Sequence, residues 1–355
     1  MINKTISISV NRFAKSGGME SYVLYLVRQL HNDNIVPIIY STSFDKNLPE
    51  INLVIPKLIN QKFIPKKLRA FLFTYQLQKQ RKSNEYLISC HQSDHADLLI
   101  CGGTHLGFLK NMGKKPSLID NLIIKRNYSN YSSAKLIVAH SELMKSEIKD
   151  LYHIDENKIQ VIYPPIDNSV FTPSGNIANI RHRYTISEEE TIFLFPSTGH
   201  TRKGLNLLAE FFSKTDLPIK LAVVGAPLPH PIKNVLELGY CKNMPELYRA
   251  VDYTIMASLY EPFGLVGIES ILCGTKVVLA KNMACCEVLN NESGFFFDRN
   301  NYDSLHDAIN KAVNLKKQNK HKIENIQSAL AYDPSMKQHM ESLYTLLSKT
   351  ENKQI

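Results

Sequence analysis

No stretch of this 355-residue sequence approaches the run of about 18 apolar residues that spans a bilayer, so a helical membrane segment is excluded. The N-terminal ISISV run is too short for a signal-peptide core and no small-residue cleavage site follows it, so it reads as a first strand. Six cysteines, at positions 90, 101, 241, 273, 285 and 286, form no C-x-x-C pair, which argues against a zinc or disulfide framework and fits a reducing compartment. No low-complexity tract interrupts the chain, and with 44% hydrophobic residues it is expected to fold along nearly its whole length. The full G-x-G-x-x-G fingerprint is missing, which disfavours nicotinamide binding. No DxD-like metal motif is evident, and no nucleic-acid motif accompanies the basic residues.

The length suits two domains better than one compact core. Strand-length apolar runs (ISISV 6–10, VPIIYS 36–41, YLISC 86–90, DLLICGG 97–103, KLIVAHS 135–141, IQVIYPPID 159–167) alternate with helical segments such as 16–31. A second series restarts with TIFLFPS (191–197), a helix over 204–213, IKLAVVGA (219–226), ELYRAVDYTIMAS (246–258) and TKVVLA (275–280). Alternation of this kind implies parallel sheets covered on both faces, here two doubly wound α/β domains. The Pro-rich PPIDNSVFTPSGN (164–176) reads as the linker. Ligands of such sheets sit beyond the strands' carboxyl ends, so the site is expected in a cleft between two facing domains.

The charge is +9, and it is uneven: residues 1–175 hold 22 of the 42 Lys/Arg but 14 of the 33 Asp/Glu. The segment KLINQKFIPKKLRAFLFTYQLQKQRK (57–82) carries eight basic residues, no acid, and Phe63, Phe71, Phe73 and Tyr75. It suits an anionic membrane surface, and equally a solvated helix.

In SLYEPFGLVGIESIL (258–272), Pro262, Gly264 and Gly267 delay the helix to about Leu265. Glu261 therefore falls in a loop and Glu269 in the first turns of the helix. The amides of Phe263, Gly264 and Leu265 would offer N–H donors and a positive dipole end to a phosphate. Carboxylates on either side accept from sugar hydroxyls, and eight helical residues span about 12 Å. Such chemistry fits a nucleotide sugar. Either glutamate alone is more readily a turn or first-turn acid. A second element, PSTGHTRKGLNLLAEFF (196–212), sets Gly199, Arg202 and Lys203 between a strand and a helix, where cations can neutralise a diphosphate. A third, AKSGGMESYVLYL (14–26), puts Gly17 and Gly18 before an apolar helix, where backbone can approach a ligand closely or simply turn.

Together, GGME, RKG and EPFGLVGIE with its CGTKVV tail, continuing to ESGFFFDRNNYDSLHDAI, resemble the retaining glycosyltransferases of family 4 over nearly the whole chain. STGHTRKG and CGGTHLGFLK are most similar to the bacterial lipopolysaccharide-core glucosyltransferases. The resemblance implies the GT-B fold, two Rossmann-like domains facing across a cleft: 1–170 for the acceptor, 171–334 for the nucleotide sugar, and a helix over 335–355 crossing back to the first. It implies a sugar moved, with retention, from a nucleoside diphosphate sugar, UDP favoured, to a hydroxyl of a growing lipopolysaccharide core, capsule or exopolysaccharide. Glu261 would contact the donor sugar, Glu269 the ribose, and Lys203 and Arg202 the phosphates, approached by Gly17 and Gly18. His105, in GGxH form, or His91 would lie near the reacting centre; either could equally be a hydrogen-bonding wall residue. No metal or cofactor is implied. A glycan or lipid-linked glycan is the expected acceptor, and peripheral attachment to the inner face of the bacterial cytoplasmic membrane the expected location. Thr198 stands where the family usually has an Arg, and NMACCEVL (282–289) replaces a common Gly-Gly turn. A glycosidase is disfavoured by the loop–helix setting of the acids. A nucleotide-sugar 2-epimerase and a non-catalytic sugar-binding scaffold remain the alternatives.

Overall fold

The first strand, β1 (Thr5–Val10), shows why the chain builds buried parallel sheets. Ile6, Ile8 and Val10 line one face, but Ser7 and Ser9 on the other are just as buried. A parallel strand is covered on both sides, so its polar face has to be satisfied internally. Accordingly the Ser7 hydroxyl donates to the Tyr86 carbonyl at 3.0 Å and that of Ser9 to Ser89 Oγ at 3.2 Å.

The computed structural model describes residues 4–62, 64, 68–91 and 93–351, the last by its backbone only. Phe63, Pro65, Lys66 and Lys67 of the basic segment lie outside the described residues. Two compact units result, one holding residues up to Pro165 together with those from Pro334, the other Ile166–Asp333.

The first unit adds β2 (Ile38–Ser41), β3 (Ile55–Leu58), β4 (Glu85–Ser89), β5 (Leu98–Cys101), β6 (Leu136–Ala139) and β7 (Ile159–Val161). All pair in parallel in the order β3-β2-β1-β4-β5-β6-β7. The start of the basic segment thus belongs to an edge strand, and its helix is Arg69–Gln80. Against β1 packs the helix Gly18–Asn32, whose Val23, Leu26, Val27 and Leu30 recur at helical spacing and are fully buried. The helix Met336–Glu351 joins the same core through Met340, Leu343, Leu346 and Leu347.

The second unit is built on β8 (Thr191–Ser197), β9 (Ile219–Gly225), β10 (Val235–Gly239), β11 (Tyr253–Met256), β12 (Val277–Ala280) and β13 (Gly294–Phe297), again all parallel, in the order β10-β9-β8-β11-β12-β13. Within the run 246–258 the chain first forms a helix, Met244–Ala250, opened by Pro245 and Glu246, and then β11. In each sheet the chain winds outward on one side of its first strand and returns on the other. The reversal falls between β1 and β4, and between β8 and β11. Ligands of doubly wound sheets bind beyond the carboxyl ends at such a point. Among the described residues no helix is long and apolar enough to cross a membrane.

Candidate functional site

Both sequence elements that carry Arg202, Lys203 and Glu261 emerge at the β8/β11 reversal of the second unit. β8 ends at Ser197 and runs through Gly199 into a single turn, His200–Lys203. His200 fixes this turn, with Nδ1 2.9 Å from Ser197 Oγ and Nε2 3.1 Å from the Pro227 carbonyl. Gly204 then closes it at φ +85°, where a Cβ would stand 2.0 Å from the Ala257 carbonyl oxygen. That close approach locks the turn to the segment that follows β11, reinforced by the Leu259 N–H donating to the Arg202 carbonyl at 2.8 Å.

The loop after β11 holds Glu261, and Gly264 caps the helix Leu265–Leu272 at φ +102°. A Cβ on Gly264 would meet Glu261 Cγ and Met283 Cε at 3.1 Å and Cys285 Sγ at 3.2 Å. The NMACCEVL segment is what crowds it. Its Cys285 N–H donates to the Phe263 carbonyl at 2.7 Å, and the Asn282 amide to the Ser258 and Leu259 carbonyls at 2.9 and 3.1 Å. The unusual turn therefore clasps the loop that carries Glu261. Phe263 is buried and packs edge-on against Tyr332, while Leu265 at the helix start is exposed.

Four charged side chains converge here. Arg202 Nη1 donates to Glu261 Oε2 at 3.0 Å and to the Tyr260 carbonyl at 2.8 Å. Lys203 Nζ donates to the Pro196 carbonyl at 3.2 Å. Burial lowers its pKa, with the Glu261 carboxylate opposing, Arg202 adding to the shift and Glu269 opposing. Glu269 accepts from the Tyr248 hydroxyl at 2.8 Å. Burial raises its pKa, against the pull of that bond and of Lys203. A helix N-terminus flanked by two cations and two carboxylate acceptors can hold an anion together with hydroxyls. Tyr248, Asn282 and His200 were not singled out by the sequence, because their partners lie in other elements.

Residues singled out in the first unit sit at its own strand ends. Gly17 precedes and Gly18 opens the helix after β1; neither has a positive φ, and a Cβ on Gly18, as on Gly199, would meet nothing within 4 Å among the described residues. His91, after β4, packs edge-on against Phe73 with centroids 4.8 Å apart. Burial, helped by the charge of Arg126, lowers its pKa to about 4. His105 opens the helix His105–Asn111 after β5, and its Nε2 lies 2.7 Å from Asp120 Oδ1. Ser117 and then His105 hold the Asp120 carboxyl down at about 2.

The family model described as Glycosyltransferase Family 4 matches residues 16–170, and that described as Glycosyl transferases group 1 matches residues 176–329. A probable transglycosylase of Burkholderia thailandensis is 36% identical over 352 residues, 97% of each chain. Among solved structures, Anabaena HepE in complex with UDP and glucose superposes with a TM-score of 0.76 at 16% identity, covering 98% of this chain and 100% of that one. WaaG, a glycosyltransferase involved in lipopolysaccharide biosynthesis, does so with a TM-score of 0.75 at 15% identity, covering 91% and 94%.

Proposed function

The chain belongs to the family 4 glycosyltransferases and has their two-domain GT-B fold, and from that premise we propose that it moves a hexose from a UDP-sugar, with retention, to a hydroxyl of a growing cell-surface glycan. The observation that carries the reading is the convergence of Arg202, Lys203, Glu261 and Glu269 on one helix N-terminus at the β8/β11 reversal. The UDP bound in the HepE complex and the involvement of WaaG in lipopolysaccharide biosynthesis support this reading.

In this reading the diphosphate lies at the amides of Phe263, Gly264 and Leu265, with Lys203 neutralising the negative charge that grows on the leaving group. Arg202 braces Glu261 and adds a second positive charge, taking the place of the Arg absent at Thr198. Glu261 accepts from hydroxyls of the donor sugar and Glu269 from the ribose. The leaving phosphate takes the acceptor's proton on the same face, so that positioning and charge stabilisation supply the rate, without a metal. His91, lowered to about 4 and hence neutral, suits a hydrogen-bonding wall residue on the acceptor domain, and His105 is tied to Asp120. Gly18 leaves room for close approach of a ligand, while the space beside Gly17 is taken by the Glu20 carboxylate, 2.6 Å from where a Cβ would stand.

Attachment to the inner membrane surface is part of the proposal. The helix Arg69–Gln80 exposes Phe71 and Tyr75, and Arg126 ties it, through Thr74, to the helix Leu118–Ser133, which exposes Leu118, Ile119 and Leu122. Apolar side chains beside this many lysines and arginines suit an anionic bilayer and a lipid-linked acceptor.

Calorimetry of UDP-, GDP-, ADP- and TDP-sugars on wild type and Glu269→Ala tests the function. One donor that binds, and binds more weakly to the variant, supports it; binding of none overturns it. A donor sugar altered without acceptor would point to epimerisation instead.

A further inference from the structure

Tyr248 stands at the end of the helix Met244–Ala250 with no exposed surface. A phenol so buried requires a partner for its hydroxyl, and here the partner is the Glu269 carboxylate, 2.8 Å away. Everything else about Tyr248 is fixed. The Thr275 hydroxyl donates to its carbonyl at 2.6 Å, and the Lys322 ammonium in turn donates to Thr275 Oγ1 at 2.9 Å and to the Val251 carbonyl at 2.6 Å. Its ring packs against Phe171 with centroids 6.3 Å apart. The hydroxyl is therefore a rigid point, whereas Glu269 reaches it on a side chain with three rotatable bonds. A hydrogen bond from a fixed donor selects one orientation of that carboxylate and holds it there before any ligand arrives.

Orientation matters because of what a ribose offers. Its vicinal diol presents two O–H donors in a fixed relation, and a carboxylate has about four lone-pair sites in one plane. With one site on Oε2 taken by Tyr248, the remaining sites point in directions set by the phenol. We propose that Tyr248 is a positioning residue that locks the Glu269 carboxylate for a nucleoside bearing both ribose hydroxyls, and so sets the preference for ribonucleotide over deoxyribonucleotide donors. The inference rests on the nucleotide-sugar reading given above. Tyr248 touches neither donor nor acceptor in this scheme; it acts through Glu269 alone.

The experiment compares the affinities of UDP and 2′,3′-dideoxy-UDP for wild type, Tyr248→Phe and Glu269→Gln by calorimetry, with thermal melts alongside. Tyr248→Phe retains every ring contact and removes only the hydroxyl. Wild type is expected to prefer UDP by about 10- to 100-fold, the range of one or two hydrogen bonds to a charged acceptor. Tyr248→Phe should weaken UDP by about 10-fold and leave dideoxy-UDP within about two-fold, so that the preference collapses. Equal weakening of both nucleotides would mean that the hydroxyl serves packing only, and an unchanged preference that Glu269 needs no guide; either overturns the proposal. If Glu269→Gln loses the preference while Tyr248→Phe keeps it, the ribose role of Glu269 stands and the role of Tyr248 falls. If wild type has no preference at all, the assignment of Glu269 to the ribose fails first, and the proposal with it.

Discussion

Arg202 and Glu261 are 59 residues apart in the chain and 3.0 Å apart in the structure, guanidinium Nη1 to carboxylate Oε2. Their side chains are 31% and 15% exposed. A pair this accessible adds little to stability. Its effect is positional, because the same nitrogen also holds the Tyr260 carbonyl and so fixes both the backbone and the side chain of the loop that leads into the Leu265–Leu272 helix.

Arg202→Gln should therefore leave folding nearly intact and impair catalysis. The expected cost is about 10- to 100-fold in kcat, from a loosened Glu261 and one lost charge near the phosphates. Steady-state kinetics with a matched melting curve checks both halves. A melting temperature lowered in step with the activity would sink the positional argument.

Lys203 should show the opposite balance. Its folded pKa lies below the ordinary lysine value because burial penalises the charged form. The folded state therefore binds that proton less tightly than the unfolded chain does, and stability rises with pH through the interval between the two values. Lys203→Met removes the buried charge. It is expected to cost about 100- to 1000-fold in kcat and to stabilise the second domain by roughly 1 kcal/mol, read by denaturant unfolding.

Glu269 gives a pH signature. Burial raises its carboxyl above the ordinary value, so as pH falls it protonates in the folded protein before a free glutamate would. The sign is that of a raised acid: its contribution to stability is full below the unfolded value and is lost as pH rises through the folded one. Ribonucleotide affinity should move the other way, falling on the acid side as the acceptor is neutralised. Titrating the affinity of an uncharged-base UDP-sugar against pH, in wild type and Glu269→Gln, tests this; the variant's curve should lose the acid limb.

Much of this site was legible in the sequence because local chemistry dictates it. Pro262 and Gly264 put Glu261 in a loop and Glu269 on a helix, and the Gly204 turn follows from the RKG spacing. Tyr248 was not legible, since nothing in ELYRAVDYTIMAS marks a phenol whose partner lies 21 residues on. Asn282 and Cys285 were visible only as a departure from a usual turn; that they clasp the Glu261 loop is a tertiary fact. The edge strands β3, β10 and β13 were also missed. They are short, and Pro56 and Gly239 weaken the pattern that central strands such as TIFLFPS display.

Membrane attachment, if it runs through the first domain's exposed side chains, should depend on both charge and apolar surface. Phe71 is 65% and Leu118 86% exposed, so Phe71→Ser with Leu118→Ser should leave the fold unchanged. Cosedimentation with vesicles rich in anionic lipid is expected to fall several-fold in this variant and to disappear for both proteins at high salt. Undiminished binding by the variant would remove these side chains from the docking surface.

The helix Met336–Glu351 should act as a structural part of the first domain and make it acid-sensitive. Leu343 and Leu347 are fully buried in the core that Val23, Leu26 and Val27 also line, so Leu343→Ala should cost about 3 kcal/mol. On the same helix, His339 Nδ1 donates to the Tyr163 carbonyl at 3.0 Å, which leaves Nε2 of the neutral ring to accept from the Tyr22 hydroxyl at 2.7 Å, with the His140 ring 6.2 Å away. Burial lowers His339 to about 4 and His140, beside it, to about 3. Both are then neutral when folded and take up protons on unfolding below the ordinary histidine value of 6.5. The stability they confer is complete above that value and is lost as pH falls towards 4, roughly 2 kcal/mol from His339 alone by pH 5. His339→Gln keeps a hydrogen-bonding group for Tyr22 and cannot titrate. Denaturant unfolding of wild type and variant at pH 7.5 and pH 5 should show the gap between the two pH values narrowing in the variant, and an unchanged gap would assign the acid sensitivity elsewhere.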